Sequence, residues 1–181
     1  MGTIILLQKP TMSFDSAVLE PTVTATWVTF VKEGETRVKH NLGEELESFL
    51  VFTLMRLVRR TDIFTPALGL EYYKASTEYV GRKKEEALGE IGDTSLILAG
   101  LFPERHRRLN VSSSYFSEIG RLAFRELADS LSERNRVSLA KLYHNVNNGF
   151  ISMTDVLLAA RENKFSEASP IIKKPGFLSL Q

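Results

Sequence analysis

The residues best suited to chemistry lie near the middle of the chain. Asp93 precedes a very apolar segment, and Glu104 follows that segment and leads into the basic run Arg105-His106-Arg107-Arg108. A carboxylate beside an apolar segment has the chemistry of a general base. A cluster of arginines has the chemistry of a phosphate-binding site. We therefore take Asp93, Glu104, Arg105, His106, Arg107 and Arg108 as the candidate binding residues.

The same residues also have structural explanations. A buried Asp93 needs a partner, and the arginines at 105, 107 and 121 are candidates for an ion pair. A helix cap or a buried ion pair is therefore the main interpretation of Asp93. The chain carries 23 basic and 22 acidic residues, a net charge of +1, which gives no global attraction to nucleic acid.

Sequence signatures of other sites are missing. The chain has no cysteine, which excludes disulfides, thiolate zinc sites and cysteine nucleophiles. His40, His106 and His144 have no metal-binding spacing, and neither a Gly-x-Ser-x-Gly elbow nor a nucleotide-binding glycine loop occurs. The sequence therefore predicts no catalytic residue, metal or cofactor.

Length and composition indicate one globular domain. The chain has 181 residues, of which 43% are hydrophobic and 25% charged. No segment approaches the roughly 20 apolar residues of a membrane span. Residues 1–7 lack the basic flank and cleavage site of a secretory signal. We therefore expect a cytoplasmic protein without a membrane span.

The candidate residues flank the most apolar part of the chain. The segment 91–102 predicts a buried central helix, because six of its residues are apolar around almost the whole circumference: Leu96, Ile97, Leu98, Ala99, Leu101 and Phe102. Gly92 and Gly100 would let a neighbouring helix approach closely. Pro103 disfavours helical geometry at Phe102, so we expect a break there.

Periodic apolar residues predict further helices around this segment. They cover residues 44–60, 67–78, 114–132 and the region from 134 onwards, while interspersed charges at 80–90 predict an exposed helix face. Asn147-Asn148-Gly149 is a turn signal. We favour a helix that continues through Gly149 over one that restarts near Ser152.

The sequence patterns at the two ends of the chain differ from those in its middle. Residues 19–32 are rich in Val, Thr, Trp and Phe, and Glu33-Gly34-Glu35 resembles a turn before a short returning strand. We predict a β arm or hairpin over 1–40, with Trp27 as its packing anchor, a helical domain over 41–164 and an extended tail over 165–181. The predicted fold is mainly α, a single-domain bundle of five or six helices with an N-terminal extended β arm or hairpin.

The central segment carries a family resemblance. Its run from Gly92-Asp93 through Gly100-Leu101-Phe102-Pro103-Glu104 resembles a group of small uncharacterised bacterial proteins with the pattern Gly-Asp-x-x-Leu-x-x-x-Gly-Phe/Leu-Phe/Tyr-Pro-Glu. The similarity extends over about residues 44–158. It implies a bacterial helical domain, and no activity or catalytic residue is carried over from it.

Three functional hypotheses follow. The first is a non-catalytic helical protein–protein interaction module, such as a bacterial adaptor or assembly subunit, because apolar residues in both chain ends suit pairing with a partner or with a second copy. The alternative is a nucleic-acid-binding regulator that uses the Arg105–Arg108 cluster. The third is an enzyme with Asp93 and His106 in one pocket.

Overall fold

Eight α-helices form the part of the chain that the structure describes. The computed structural model describes residues 23–57 and 67–166, with side chains up to residue 162. The helices are α1 (Val23–Val38), α2 (Glu44–Leu57), α3 (Leu68–Thr77), α4 (Gly81–Leu101), α5 (Arg105–Leu109), α6 (Tyr115–Glu133), α7 (Val137–Asn148) and α8 (Phe150–Ser166). The mainly α prediction is confirmed, although the number of helices exceeds the predicted five or six.

Helix α4 lies at the centre of the bundle and packs against α3, α6 and α8. Leu96, Ile97 and Leu98 are each buried, as expected for a helix that is apolar on all sides. The charged residues 81–90 belong to the same helix, so α4 begins ten residues before the predicted apolar segment. It ends at Leu101, and Phe102 leaves helical geometry before Pro103, which confirms the predicted break.

Glycines in α4 let two different helices approach it. Gly92 faces the ring of Phe124 in α6, and a Cβ atom there would collide with that ring. Gly100 faces α8, where a Cβ atom would lie 2.6 Å from the Cβ of Leu157. The predicted close approach at these glycines is confirmed, and each glycine serves a separate interface.

The predicted β arm is wrong over residues 23–39, which form α1 and its terminal turn. Trp27, Phe30, Val31 and Gly34 are buried at helical spacing, and α1 packs against α8 and α2. Trp27 meets Phe30 edge to face at 5.6 Å and is a packing anchor as predicted. The predicted turn at Glu33-Gly34-Glu35 lies inside α1, where Gly34 contacts the backbone of Val156 too closely for any side chain. Packing on α8 thus outweighs the β propensity of the segment.

The preferred continuous helix through Gly149 is also wrong. Helix α7 ends at Asn148 and α8 begins at Phe150, with Gly149 between them. A Cβ atom on Gly149 would lie 2.4 Å from Cδ1 of Leu46, so α2 lies close to the junction of α7 and α8. Residues 1–22, 58–66 and 167–181 lie outside the described residues. With them lie the rest of the predicted arm, the last residues of the helix predicted over 44–60 and nearly all of the predicted tail.

A partly buried carboxylate joins α3, α4 and α6. Glu126 of α6 accepts hydrogen bonds from Tyr72 and Ser76 at 2.9 and 2.6 Å, and Lys84 of α4 lies 2.7 Å away. Burial raises the pKa of Glu126, but the hydrogen bonds from Lys84, Ser76 and Tyr72 outweigh burial and lower it overall. Glu126 therefore stays charged and holds α3 to the central pair of helices.

No helix in the described ranges is long and apolar enough to cross a membrane.

Two glycines three residues apart in α4 predict opposite effects on stability. We expect Gly92→Ala to lower the free energy of unfolding by about 1–2 kcal/mol, because the added methyl group must displace a tightly packed ring. Phe124 has little room to move, since Phe49, Tyr143 and Phe150 surround it.

The matched control is Gly89→Ala, whose Cβ would meet only Leu127 at 3.6 Å, an ordinary contact. We expect it to raise the free energy of unfolding by up to about 1 kcal/mol through helix propensity. Urea denaturation of both variants measures these changes. Equal effects at the two positions would contradict the packing described for α4.

Candidate functional site

Asp93 places a carboxylate in the middle of α4. The residue is 2% exposed, and its Oδ2 accepts a hydrogen bond from Nη2 of Arg56 at the end of α2. The Arg56 side chain is 59% exposed, so it reaches from the surface to a buried charge. An ion pair of this kind offsets the cost of burying the carboxylate.

The buried ion pair predicted for Asp93 is therefore confirmed, but the predicted partners are wrong. The arginines at 105 and 107 lie in α5, beyond the break at Pro103, and Arg121 is exposed on α6. The cap interpretation is also wrong, because Asp93 lies twelve residues after the start of α4 at Gly81. Arg56 reaches Asp93 because α2 lies close to α4.

One oxygen of Asp93 is left without a partner. Oδ1 is buried and makes no hydrogen bond with any described residue. The hydroxyl of Ser95 is also buried and without a hydrogen bond among the described residues. A buried polar atom without a partner costs about 1–3 kcal/mol of stability, so native structures rarely keep one without reason. The unused acceptor makes Asp93 the first candidate for contact with a ligand.

Asp93 lines a groove of about 650 Å³ between α2, α4, α6 and α7. Pockets of about 300–1,000 Å³ are the size that buries small ligands. Leucines from α2, α6 and α7 form its apolar lining: Leu57, Leu127, Leu131 and Leu139. Helix α4 provides a charged wall along one side, which comprises Arg82, Glu85, Glu86, Glu90 and Asp93 with Gly89 between them. Arg56, Arg136 and Tyr143 complete the groove.

The arginines of the groove are engaged with its own acids. Arg82 bonds Glu86 at 2.6 Å on the rim. Glu85 is 6% exposed and receives hydrogen bonds from Arg134 at 2.8 Å and Arg136 at 3.2 Å. With Arg56 on Asp93, each arginine that lines the groove has a carboxylate partner.

Tyr143 connects the groove to the aromatic part of the core. Its ring stacks on Phe124 at 5.8 Å and meets Phe49 edge to face at 6.1 Å. Burial raises the pKa of Tyr143, and the charges of Arg56 and Arg136 oppose that rise only in part. The phenol is therefore protonated at neutral pH and can donate a hydrogen bond.

An exposed aromatic residue lies beside the groove. Phe52 is 65% exposed and precedes Arg56 by four residues on α2, which places both on the same face of that helix. Exposed aromatic residues next to a groove are typical of surfaces that bind other proteins.

The other predicted site residues lie elsewhere. Eight residues of helix, about 12 Å along the axis, separate Asp93 from the end of α4, and α5 follows that end. Glu104 bonds Arg161 of α8 at 2.8 and 3.2 Å, and Nδ1 of His106 lies 2.6 Å from the carbonyl oxygen of Pro103. Neither residue lines the groove, so Asp93 and His106 do not share it.

The basic cluster forms part of α5. Burial lowers the pKa of Arg105, and the charge of Arg108 lowers it further against a smaller opposing effect of Glu104. Arg107 and Arg108 are exposed. The structure therefore divides the six predicted site residues into Asp93 in the groove and five residues beyond the break in α4.

Sequence reasoning missed most of the groove. Glu85, Glu86 and Glu90 belong to the segment for which interspersed charges predict only an exposed helix face, and no sequence pattern singles out Arg56. A signal was present, because Glu86, Gly89 and Asp93 are spaced i, i+3 and i+7 on one face of a continuous helix. That spacing predicts a shared surface only if residues 81–101 form one continuous helix.

Comparison of the chain with protein-family models, with curated proteins and with solved structures finds no match. Within the described ranges, no group of three or more His, Asp or Glu side chains is arranged to hold a metal ion.

The pairing of Arg56 with Asp93 predicts a strong coupling. We expect Arg56→Met to lower the free energy of unfolding by about 1–3 kcal/mol, less than for a fully buried pair because Arg56 is largely exposed. The loss arises because a buried carboxylate then lacks its partner.

In an Asp93→Asn background, the same Arg56→Met change should cost less than half as much, since no buried charge remains. Urea denaturation of the two single variants and the double variant gives the coupling energy. Additive losses would show that the two side chains do not interact.

Proposed function

We propose that the chain is a non-catalytic helical protein–protein interaction module whose groove takes up a segment of a partner protein. One observation carries this proposal: the groove combines an apolar lining from three helices with a charged wall from α4. This combination of apolar contact and polar orientation is how binding grooves obtain both affinity and specificity.

The dimensions of the groove favour a short segment. About 650 Å³ accommodates a few side chains rather than a whole domain surface. Apolar side chains of the partner would pack on the half-buried Leu139 and Tyr143, and its charged side chains would meet the α4 wall. Phe52 beside the groove would extend the contact outside it.

The proposal includes the setting of the protein. The resemblance of residues 92–104 to small bacterial helical proteins supports a bacterial adaptor or assembly subunit, and we place its action in the cytoplasm. A second copy of the chain is the other possible occupant, and the experiment below distinguishes the two.

A nucleic-acid-binding regulator is the second candidate, and one observation favours it. Arg107 and Arg108 are both exposed at the end of α5, where their guanidinium groups are accessible to phosphates. This surface is separate from the groove, so variants distinguish the two functions.

Site-specific photo-crosslinking in living cells tests the groove. A photoreactive residue at Phe52 should capture one protein reproducibly, whereas the same residue at Ile151, which is 46% exposed on α8, should not. The captured protein is then purified and its affinity for the chain is measured. We expect Glu86→Lys to weaken binding by about tenfold or more, because it reverses a charge on the α4 wall.

The matched control is Asp129→Lys, an equal charge change on α6 outside the groove. It should leave the affinity unchanged. Equal affinity for wild type and Glu86→Lys would overturn the proposal. Capture of a second copy of the chain and nothing else would also overturn the proposal, because that outcome indicates self-association. Recovery of nucleic acid whose binding is lost in Arg107→Glu would overturn it as well.

A further inference from the structure

The unused oxygen of Asp93 indicates how the groove selects its partner. Asp93 lines the groove, is 2% exposed and has Oδ1 without a hydrogen bond among the described residues. A carboxylate has two oxygens and accepts several hydrogen bonds, so Arg56 on Oδ2 does not exhaust it. Oδ1 is therefore an acceptor that no described residue uses, and a donor that displaces the side chains shielding it from solvent would satisfy it.

We propose that the partner segment anchors itself with a cationic side chain, a lysine or an arginine, that donates to Oδ1 of Asp93 beside Arg56. This inference rests on the proposed function and names the chemistry of its partner.

The charge distribution favours a cation over an anion. The three arginines lining the groove, at 56, 82 and 136, are bonded to Asp93, Glu86 and Glu85. An anionic ligand would have to break one of these pairs before it could bind. A cation would instead meet the unused oxygen of Asp93, so it could bind without breaking any of these pairs.

The apolar lining fits the rest of such a side chain. Lysine and arginine have aliphatic stems that pack on apolar surface while their charged ends reach polar groups. Leu139 and Tyr143 of α7 are half-buried, line the groove and offer that surface. A small polar donor would satisfy Asp93 but make little contact with these two side chains, so the lining favours a long cationic side chain.

The test uses a minimal probe, N-acetyl-arginine amide, with N-acetyl-citrulline amide as its neutral isostere. We titrate each into the full chain and follow backbone amide resonances by NMR. The arginine probe should shift the resonances of Gly89, Glu90 and Tyr143 in a saturable manner, whereas the citrulline probe should not. Asp93→Asn should weaken binding of the arginine probe by about tenfold.

The matched control Asp129→Asn removes an acid outside the groove and should leave the titration unchanged. The two wild-type titrations test the anchor even if Asp93→Asn fails to fold. Equal shifts from both probes, or no shift from either, would overturn the cationic anchor.

The two proposals can fail separately. If the partner captured at Phe52 binds wild type and Asp93→Asn equally but loses affinity for Glu86→Lys, the anchor is wrong and the interaction module stands. If neither variant changes the affinity for that partner, both proposals are wrong.

Discussion

The bundle is built around a negative charge in its most apolar helix. Asp93 cannot lie in the middle of α4 without compensation, because transfer of an ionised carboxylate out of water is costly. Arg56 supplies the compensation from the surface and ties the end of α2 to α4. That contact closes one side of the groove, while α6 and α7 close the other. The Arg56–Asp93 pair thus contributes to the contact between α2 and α4 and to the electrostatics of the groove, while α2 is also held by its packing against α1 and α7.

The two halves of helix α4 have different surroundings. Its C-terminal half is surrounded by α6 and α8, and glycines at 92 and 100 bring those helices close. Its N-terminal half leaves one face open to the groove, where acidic side chains form a wall. The leucines opposite that wall, at 127 and 131, are buried residues of the same core. The groove is therefore continuous with the core, because leucines that line it also belong to the packed bundle.

Much of the helical part could be predicted from apolar spacing. Helix α6 was expected over 114–132 and spans Tyr115–Glu133, because its buried residues repeat at helical intervals. Helix α1 was misread because Val, Thr and Trp favour strands, although Trp27, Phe30, Val31 and Gly34 already have helical spacing. The groove could not be predicted, since no local pattern states that Arg56 meets Asp93 across 37 positions of sequence. Contacts between helices that are far apart in sequence depend on how the helices pack, and the apolar periodicity of a single sequence does not predict that packing.

The most direct test of the central claim is to fill the groove without disturbing the core. Gly89 lies on the α4 wall, and a Cβ atom there would meet only Leu127 at an ordinary distance. We would measure by calorimetry the affinity of the captured partner for wild type, Gly89→Ala and Gly89→Leu. The account predicts nearly unchanged affinity for the alanine variant and a loss of about tenfold or more for the leucine variant, with both folded. Binding to Gly89→Leu as tight as to wild type would show that the partner does not enter the groove.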